Sequence, residues 1–263
     1  MKPRCGGPSC GGPCYQGTPA ARIDTSNLRL LGLHGLPPPS VLVSPAVLTN
    51  MSPPIPTSAP PGALIVGLLG GVAAGKTQVG RGLAGPRGCL IQADTLAQEV
   101  LDSPELAPRL REAFGPDVEN ERGGIRREVI SKQVFDDPAL RELLEGWIHP
   151  QVRARIEHAL TEAQTAGAEP IVLDVPLLLE NDAEHGLAGR CRYLVFVDAP
   201  PALRQERATR QRGWPADEVS RREATQLSLS IKRERADFVI TNDGTDQELD
   251  HAVGQLRAQL GLT

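Results

Sequence analysis

The segment Gly70-Gly71-Val72-Ala73-Ala74-Gly75-Lys76-Thr77 is the most informative part of this 263-residue chain. It satisfies the pattern G-x-x-x-x-G-K-[ST], which forms a loop whose backbone amides cradle phosphate groups. Gly70 and Gly75 permit backbone conformations that a Cβ would forbid, so the loop can wrap an anion. The pattern predicts that Lys76 reaches the β- and γ-phosphates of a nucleotide and that the Thr77 hydroxyl ligates magnesium.

The residues on either side of this loop match the context that the motif requires. An apolar run over 64–69 predicts a buried strand, and the pattern over 75–83 predicts a helix whose positive N-terminal end faces the loop. The alternative is a chance glycine turn between a strand and a helix. The flanking elements favour nucleotide binding, and we expect ATP to be the nucleotide.

Strand-like apolar runs alternate with helical patterns from Leu64 onward. The predicted strands cover 64–69, 89–92, 170–174, 193–197 and 238–241. The predicted helices cover 75–83, a segment from Asp94, 139–165 with an interruption at His149-Pro150, 200–212, 217–235 and 247–260. This order predicts an α/β fold of the three-layer P-loop NTPase type, with a five-stranded parallel sheet covered by helices on both faces.

The chain divides into two regions of different composition. Residues 1–62 hold 13 of the 24 prolines and five charged residues, which predicts a disordered extension. Met51 lies just before the ordered part, so we hypothesise that translation starts there. Residues 63–263 are predicted to form one P-loop domain, with a helical insertion over about 104–166 and an arginine-rich segment over about 204–235, called the lid segment below.

Composition argues against several other classes of protein. The net charge of -4 and the aromatic content of 3% do not favour a nucleic-acid partner. The sequence contains no apolar run of the roughly 20 residues that span a bilayer, and no secretory signal pattern, so we expect a cytoplasmic protein that binds no membrane. Cys89 and Cys191 are expected to be buried small side chains. A metal site at Cys5, Cys10 and Cys14 is not favoured, because a fourth ligand is missing nearby.

If this P-loop protein is a small kinase, it needs two features besides the phosphate loop. They are an acceptor pocket beside the γ-phosphate and a mobile lid. Asp94 follows the second strand, where it could take the proton of an acceptor hydroxyl or, alternatively, cap a helix that starts at Thr95. The arginines of the lid segment could bind phosphate, although most would suit a solvated helix face. The N-K-x-D element of guanine-specific proteins does not occur in the sequence.

Further segments make the chain resemble the dephospho-CoA kinase family from about Ile65 to about Leu260. The family pattern D-A-D is similar to Gln92-Ala93-Asp94, and R-x-x-L…F to Arg127–Ile130 with Phe135. The similar segments that follow are Leu144-Glu145-Gly146-Trp147-Ile148-His149-Pro150, Asp174-Val175-Pro176-Leu177-Leu178-Leu179-Glu180, Arg222 with Gln226, and the run from Lys232 to Gly244.

The resemblance implies transfer of the ATP γ-phosphate to the ribose 3′-hydroxyl of dephospho-CoA. It implies Lys76, Asp94 and Arg207 as catalytic residues. The implied ATP-binding residues are Gly71, Val72, Ala73, Ala74, Gly75, Lys76, Thr77, Gln78, Asn242 and Gly244, the last two near the adenine. The implied acceptor-binding residues are Asp94, His149, Pro176, Leu177 and Leu178. Thr77 and Asp174 are the implied magnesium ligands.

Two of these roles have structural alternatives. Asp174 could instead be a helix N-cap, and His149 beside Pro150 could mark a helix break with a core histidine, which we favour. The sequence departs from the family pattern at Gln92, which replaces the first acid, and in the lid, where the spacing of Arg207, Arg210 and Arg212 is offset.

Two other functions remain open at this point. They are phosphorylation of another nucleoside or nucleotide, and an ATP-binding regulator that is not a kinase. The expected partner is the small molecule dephospho-CoA, and we expect a monomer or a weak homo-oligomer.

Overall fold

A computed structural model describes residues 63–215 and 217–262, so the expectations for residues 1–62, including Met51, lie outside the described residues. Its centre is a parallel sheet of five strands. These are β1 (Ile65–Gly70), β2 (Cys89–Gln92), β3 (Ile171–Asp174), β4 (Tyr193–Asp198) and β5 (Phe238–Thr241). The strands lie in the order β2-β3-β1-β4-β5. The predicted five-stranded parallel sheet is therefore confirmed.

Eleven α-helices surround the sheet in the described part of the chain. They are α1 (Lys76–Ala84), α2 (Ala93–Leu101), α3 (Ala107–Phe114), α4 (Arg127–Asp136), α5 (Pro138–Thr165), α6 (Asp182–His185), α7 (Leu187–Arg190), α8 (Pro201–Arg212), α9 (Glu218–Glu223), α10 (Leu229–Glu234) and α11 (Asp246–Gln259). The helices predicted over 75–83, 200–212 and 247–260 have nearly these bounds. Among the residues described, no helix is both long and apolar enough to cross a membrane.

The two faces of the sheet carry separate hydrophobic cores because successive side chains of a strand point to opposite faces. On β1, Ile65 and Leu69 belong to one core, which α2, α3, α4 and α5 complete. Val66 and Leu68 belong to the other core, which α1 and α11 complete. The sheet is thus the middle of three layers, and its strands are apolar on both sides as the sequence predicted.

The expected interruption at His149-Pro150 is wrong, since α5 runs for 28 residues with Pro150 inside it. A proline within a helix costs about 3 kcal/mol, because it removes a hydrogen bond and crowds the preceding turn. Burial of each large aliphatic side chain returns about 1.5–3 kcal/mol. The helix buries such side chains along one stripe, at Leu144, Ile148, Val152, Ile156 and Leu160. That stripe outweighs the single proline.

The single helix predicted over 217–235 is also wrong, because the chain forms α9 and α10 with a break between them. Two side chains bind the backbone amides in and after the break. Glu180 accepts a hydrogen bond from the Leu227 amide at 3.1 Å, and Ser228 caps α10 by accepting from the Ile231 amide. These tertiary and capping contacts replace the helical hydrogen bonds that a continuous helix would make.

The strand register brings the carboxyl ends of the strands to one edge of the sheet. Gln92 of β2 pairs with Asp174 of β3, and Asp198 of β4 pairs with Thr241 of β5. The loop after β1, the start of α2 and the loop after β5 therefore share this edge. Open parallel sheets bind their ligands at such an edge.

The burial of Glu145 on α5 makes the stability of the protein depend on pH. Burial raises the pKa of its carboxyl to about 7 from a usual value of 4.5, against the lowering effect of Arg141 and with a further rise from Glu142. The folded state therefore holds this proton more tightly than the unfolded chain. Its contribution to stability is complete below about pH 4.5 and is lost as the pH rises to about 7.

We expect Glu145→Gln, which cannot ionise, to raise the melting temperature at about pH 8 and to change it little at about pH 4.5. Thermal unfolding at both pH values measures this difference. The control is Glu112→Gln on α3, where the glutamate is exposed. An equal effect of Glu145→Gln at both pH values would contradict the prediction.

Candidate active site

The phosphate loop joins the end of β1 to the start of α1. Three of its residues have positive φ angles: Gly70 with 144°, Ala73 with 58° and Gly75 with 91°. The Lys76 ammonium lies over the loop and donates hydrogen bonds to the carbonyl oxygens of Gly71, at 2.8 Å, and Gly70, at 3.2 Å. The Lys76 side chain therefore lies against the phosphate loop, where it was predicted to act.

Asn242, which follows β5, stabilises the phosphate loop through a buried hydrogen bond. It is 3% exposed, and its side-chain amide donates to the Ala74 carbonyl at 2.8 Å. Arg207 in turn donates to the Asn242 side-chain oxygen at 3.0 Å and to its carbonyl at 3.2 Å. A Cβ on Gly75 would lie 2.2 Å from the Asn242 amide nitrogen. Arg207 therefore reaches the loop through Asn242.

Two other residues predicted to bind ATP contact side chains of α11. The Gln78 side chain donates to Asp246 at 3.0 Å. Gly244 lies against Glu248, whose carboxylate would be 2.2 Å from an added Cβ. Adenine contacts of Asn242 and Gly244 remain predictions.

Thr77 and Asp174 meet at the carboxyl edge of the sheet. The Thr77 hydroxyl donates to the Asp174 carboxylate at 2.5 Å, and Asp174 is buried at the end of β3. The helix N-cap interpretation of Asp174 is wrong, because a turn and not a helix follows this strand. A hydroxyl beside a carboxylate supplies hard oxygen donors of the kind that magnesium prefers, so the pair suits this ion.

Asp94 lies in the first turn of α2. The helix begins at Ala93, with Gln92 as its N-cap residue, so the expectation that Asp94 caps a helix starting at Thr95 is wrong. Because Gln92 pairs with Asp174 in the sheet, Asp94 is held at the same edge as the Thr77–Asp174 pair. This placement suits a carboxylate that acts on an acceptor hydroxyl.

A cavity of about 40 Å³ opens between the phosphate loop and the lid segment. The predicted residues Pro176, Leu177 and Leu178 line it together with Lys76, whereas Asp94 and His149 are outside its lining. Leu177 has φ 55°, a strained value for a residue with a side chain, and such strain concentrates at functional sites.

The cavity wall on the lid side is charged. Lys232 is 3% exposed and forms an ion pair with Glu180 at 2.8 Å and a hydrogen bond with Gln226 at 3.0 Å. Arg222 lies 4.0 Å over the Trp214 ring and donates to Glu218 at 2.6 Å. All of the wall residues Lys232, Glu180, Gln226 and Arg222 line the cavity.

Sequence reasoning did not single out Glu180, Trp214, Arg222 or Lys232 as site residues. The R-x-x-x-Q pattern of Arg222 and Gln226 was the available signal. It did not distinguish these buried cations from the exposed ones in the same segment.

His149 is half-buried on α5. Burial lowers the pKa of its imidazole, while Glu184 raises that pKa and Arg153 lowers it. Its Nε2 atom is buried and has no hydrogen-bond partner among residues 63–215 and 217–262. Burial of the ring and Arg153 both favour its neutral form, and a substrate contact of His149 stays a prediction.

The chain is similar to known proteins over about three quarters of its length. The family model described as dephospho-CoA kinase matches residues 64–248, which is more than half of the chain. The chain belongs to the dephospho-CoA kinase family. A relative of that name from Thermobifida fusca is 36% identical over 199 residues, covering 75% of this chain and 96% of the relative. Another from Deinococcus radiodurans is 37% identical over 198 residues, covering 75% and 93%.

Solved structures of other proteins have the same fold as this family member. TT1252 from Thermus thermophilus superposes with a TM-score of 0.59 at 29% identity, over 76% of this chain and 98% of that one. A dephospho-CoA kinase from Campylobacter jejuni gives a TM-score of 0.56 at 19% identity, over 74% and 96%. The resemblance, the P-loop fold and the kinase class predicted from the sequence are confirmed.

Gly75→Ala tests the phosphate loop of this family member. The φ of 91° and the Asn242 nitrogen, 2.2 Å from the added Cβ, both oppose a side chain at this position. We expect the KM for ATP to rise by at least about tenfold, because the loop must move away from its phosphate-binding conformation.

The matched control is Gly254→Ala within α11, where an added Cβ meets nothing within 4 Å. We expect this control to leave the KM for ATP unchanged. Steady-state kinetics with varied ATP measure both variants, and a wild-type KM for Gly75→Ala would disprove the steric argument.

Proposed function

We propose that this member of the dephospho-CoA kinase family transfers the γ-phosphate of ATP to the ribose 3′-hydroxyl of dephospho-CoA, giving coenzyme A and ADP. The observation that carries the proposal is the shared edge of the sheet. There the phosphate loop, the Thr77–Asp174 pair and the Asp94 carboxylate follow three neighbouring strands. Family membership supplies the identity of the acceptor.

The phosphate loop and Lys76 bind the ATP phosphates in this proposal. The amides of the loop and the positive N-terminal end of α1 favour negative charge, and Lys76 adds a full positive charge beside them. The ammonium exchanges its two carbonyl partners, Gly70 and Gly71, for phosphate oxygens. It then stabilises the charge that develops on the transferred phosphoryl group.

Asp94 orients the 3′-hydroxyl and accepts its proton as the oxygen bonds to phosphorus. The first turn of a helix is a rigid support, so the carboxylate is held in one place while the acceptor binds. The leaving oxygen remains on ADP. Arg207 acts as a positioning residue in this scheme, because it holds Asn242 against the loop.

Magnesium would be held by the Thr77 hydroxyl and the Asp174 carboxylate, the latter directly or through water. When bound, the ion would neutralise part of the negative charge on the ATP phosphates. The hydrogen bond between Thr77 and Asp174 holds both side chains in place before ATP binds.

The acceptor is proposed to bind beside the cavity that Pro176, Leu177 and Leu178 line. These residues, with Arg222 and Lys232, supply an apolar wall and two cations next to Lys76. We propose that the insertion over about 104–166 forms the rest of the acceptor site, including His149. The lid segment, about 204–235, covers the phosphates.

The setting of the enzyme is also part of the proposal. We propose a cytoplasmic monomer or weak homo-oligomer that acts on a small molecule and binds neither nucleic acid nor membrane. The net charge of -4 supports the absence of a nucleic-acid partner. Cys89 and Cys191 are free thiols that are only partly buried, so the expectation that both are buried is wrong, and the burial of Cys191 raises the pKa of its thiol to about 12.

A substrate panel tests the acceptor assignment. ADP production by the purified chain is measured with ATP, magnesium and, in turn, dephospho-CoA, nucleoside monophosphates and nucleosides. We expect stimulation by dephospho-CoA with coenzyme A as the product. Preferential stimulation by another nucleotide would identify that nucleotide as the acceptor. ADP production that no acceptor changes would favour an ATP-binding regulator.

Asp94→Asn tests the proposed base. An amide keeps the size of the carboxylate but cannot take the proton, so we expect kcat to fall by at least about 10²-fold, with the KM for ATP nearly unchanged. Asp250→Asn on α11, at an exposed aspartate, is the control and should change neither constant. Undiminished turnover by Asp94→Asn would remove Asp94 from the catalytic role.

A further inference from the structure

A buried ion pair joins the lid segment to the phosphate loop. Arg204 of α8 is 3% exposed, and its guanidinium contacts the Glu223 carboxylate at the end of α9. The Arg204 Nε atom also donates to the Ala199 carbonyl at 3.0 Å. This arginine is thus committed to protein groups on two sides and is not a solvated lid arginine.

The same pair binds both polar groups of the Val72 backbone. The Val72 amide donates to Glu223 Oε1 at 2.9 Å, and the Val72 carbonyl accepts from Arg204 Nη1 at 3.5 Å. Val72 lies within the phosphate loop. The backbone of this residue is therefore oriented by side chains that come from the lid segment.

The residue before Val72 is adapted to this pair. A Cβ on Gly71 would lie 2.6 Å from Arg204 Nη1 and 2.7 Å from Glu223 Oε1, closer than real Cβ atoms approach. Glycine at position 71 therefore lets the ion pair lie directly against the loop backbone. The pattern G-x-x-x-x-G-K-[ST] allows any residue at position 71, so the need for glycine there comes from the Arg204–Glu223 pair.

An apolar contact accompanies the polar one. The Val72 side chain is buried in a small cluster with Ala208 of α8, Trp214 and Val219 of α9. The cluster is separate from the two cores that flank the sheet. Val72 is thus held by the lid segment through its backbone and through its side chain.

We infer that Arg204 and Glu223 are positioning residues, which hold Gly71 and Val72 so that the following amides of the loop converge on the ATP phosphates. The inference rests on the proposed binding of ATP by this loop. An unbound loop of this kind can turn its amides away from the phosphates, and orienting Val72 before ATP binds removes part of that reorganisation. The pair also makes ATP affinity depend on the position of α8 and α9.

A merely structural ion pair would behave differently. Removal of one partner of a buried pair lowers stability, because the other charge is left unpaired, whereas removal of both charges restores much of it. A structural role therefore predicts that stability changes while the KM for ATP stays constant. A positioning role predicts that the KM changes wherever the acceptor for the Val72 amide is missing.

The experiment compares four proteins: the wild type, Glu223→Ala, Glu223→Gln and the double variant Arg204→Met with Glu223→Met. Their kcat, their KM for ATP and for dephospho-CoA, their direct ATP binding by calorimetry and their thermal unfolding are measured. We expect Glu223→Ala to raise the KM for ATP by about tenfold, with kcat changed by less than about threefold. We expect Glu223→Gln, which keeps an oxygen acceptor for the Val72 amide, to recover most of this loss.

The double variant separates the two roles even if Glu223→Ala does not fold. We expect its thermal stability to approach that of the wild type while its KM for ATP stays raised. A wild-type KM for ATP in the double variant would overturn the inference. The control is Glu206→Ala, which breaks the exposed pair with Arg210 on the same helix and should change nothing.

The acceptor assignment and the positioning role can fail independently. If the wild type does not phosphorylate dephospho-CoA, the proposed function fails, and calorimetry with ATP alone still tests the role of the pair. If the wild type is active and ATP binds equally to all four proteins, the positioning role fails.

Discussion

The phosphate loop has to present its amides inward to an anion, so its remaining backbone groups need partners from elsewhere in the chain. This constraint explains much of the arrangement around it. Asn242, after β5, binds the Ala74 carbonyl, while Lys76 covers the carbonyls of Gly70 and Gly71. Glu223 binds the Val72 amide from the lid segment. A loop with a local sequence signature is thus completed by residues far along the chain.

The parallel sheet determines where these partners can come from. Its strands all end at one edge, so the loop after β1, the acid after β2, the Asp174 carboxylate of β3 and the amide after β5 meet there. The helices supply charge and cover. Buried cations such as Lys232 are retained because Glu180 and Gln226 compensate them within hydrogen-bond distance.

Tertiary contacts explain two of the errors in the sequence-based expectations. Pro150 was expected to interrupt a helix because local propensity disfavours proline, yet the buried stripe of α5 outweighs it. The segment 217–235 has a helical composition, but Glu180 binds the Leu227 amide and Ser228 caps the next helix. Helix-capping roles for Asp94 and Asp174 failed because α2 begins earlier and β3 leads into a turn. For α5 and for the break between α9 and α10, contacts from outside the local segment contributed to the outcome.

Sequence alone was enough to predict the phosphate loop, the alternation of strands and helices, the five-stranded sheet and the family, because each depends on local spacing or on motifs of a few residues. It also placed Lys76, Thr77, Asp94 and Asp174 as candidates. Which arginines of the lid segment are buried depends on the folded chain, in which Arg204 contacts Glu223 and Arg207 donates to Asn242. A row of arginines looks alike in sequence, since the partners that distinguish them are brought near only by folding.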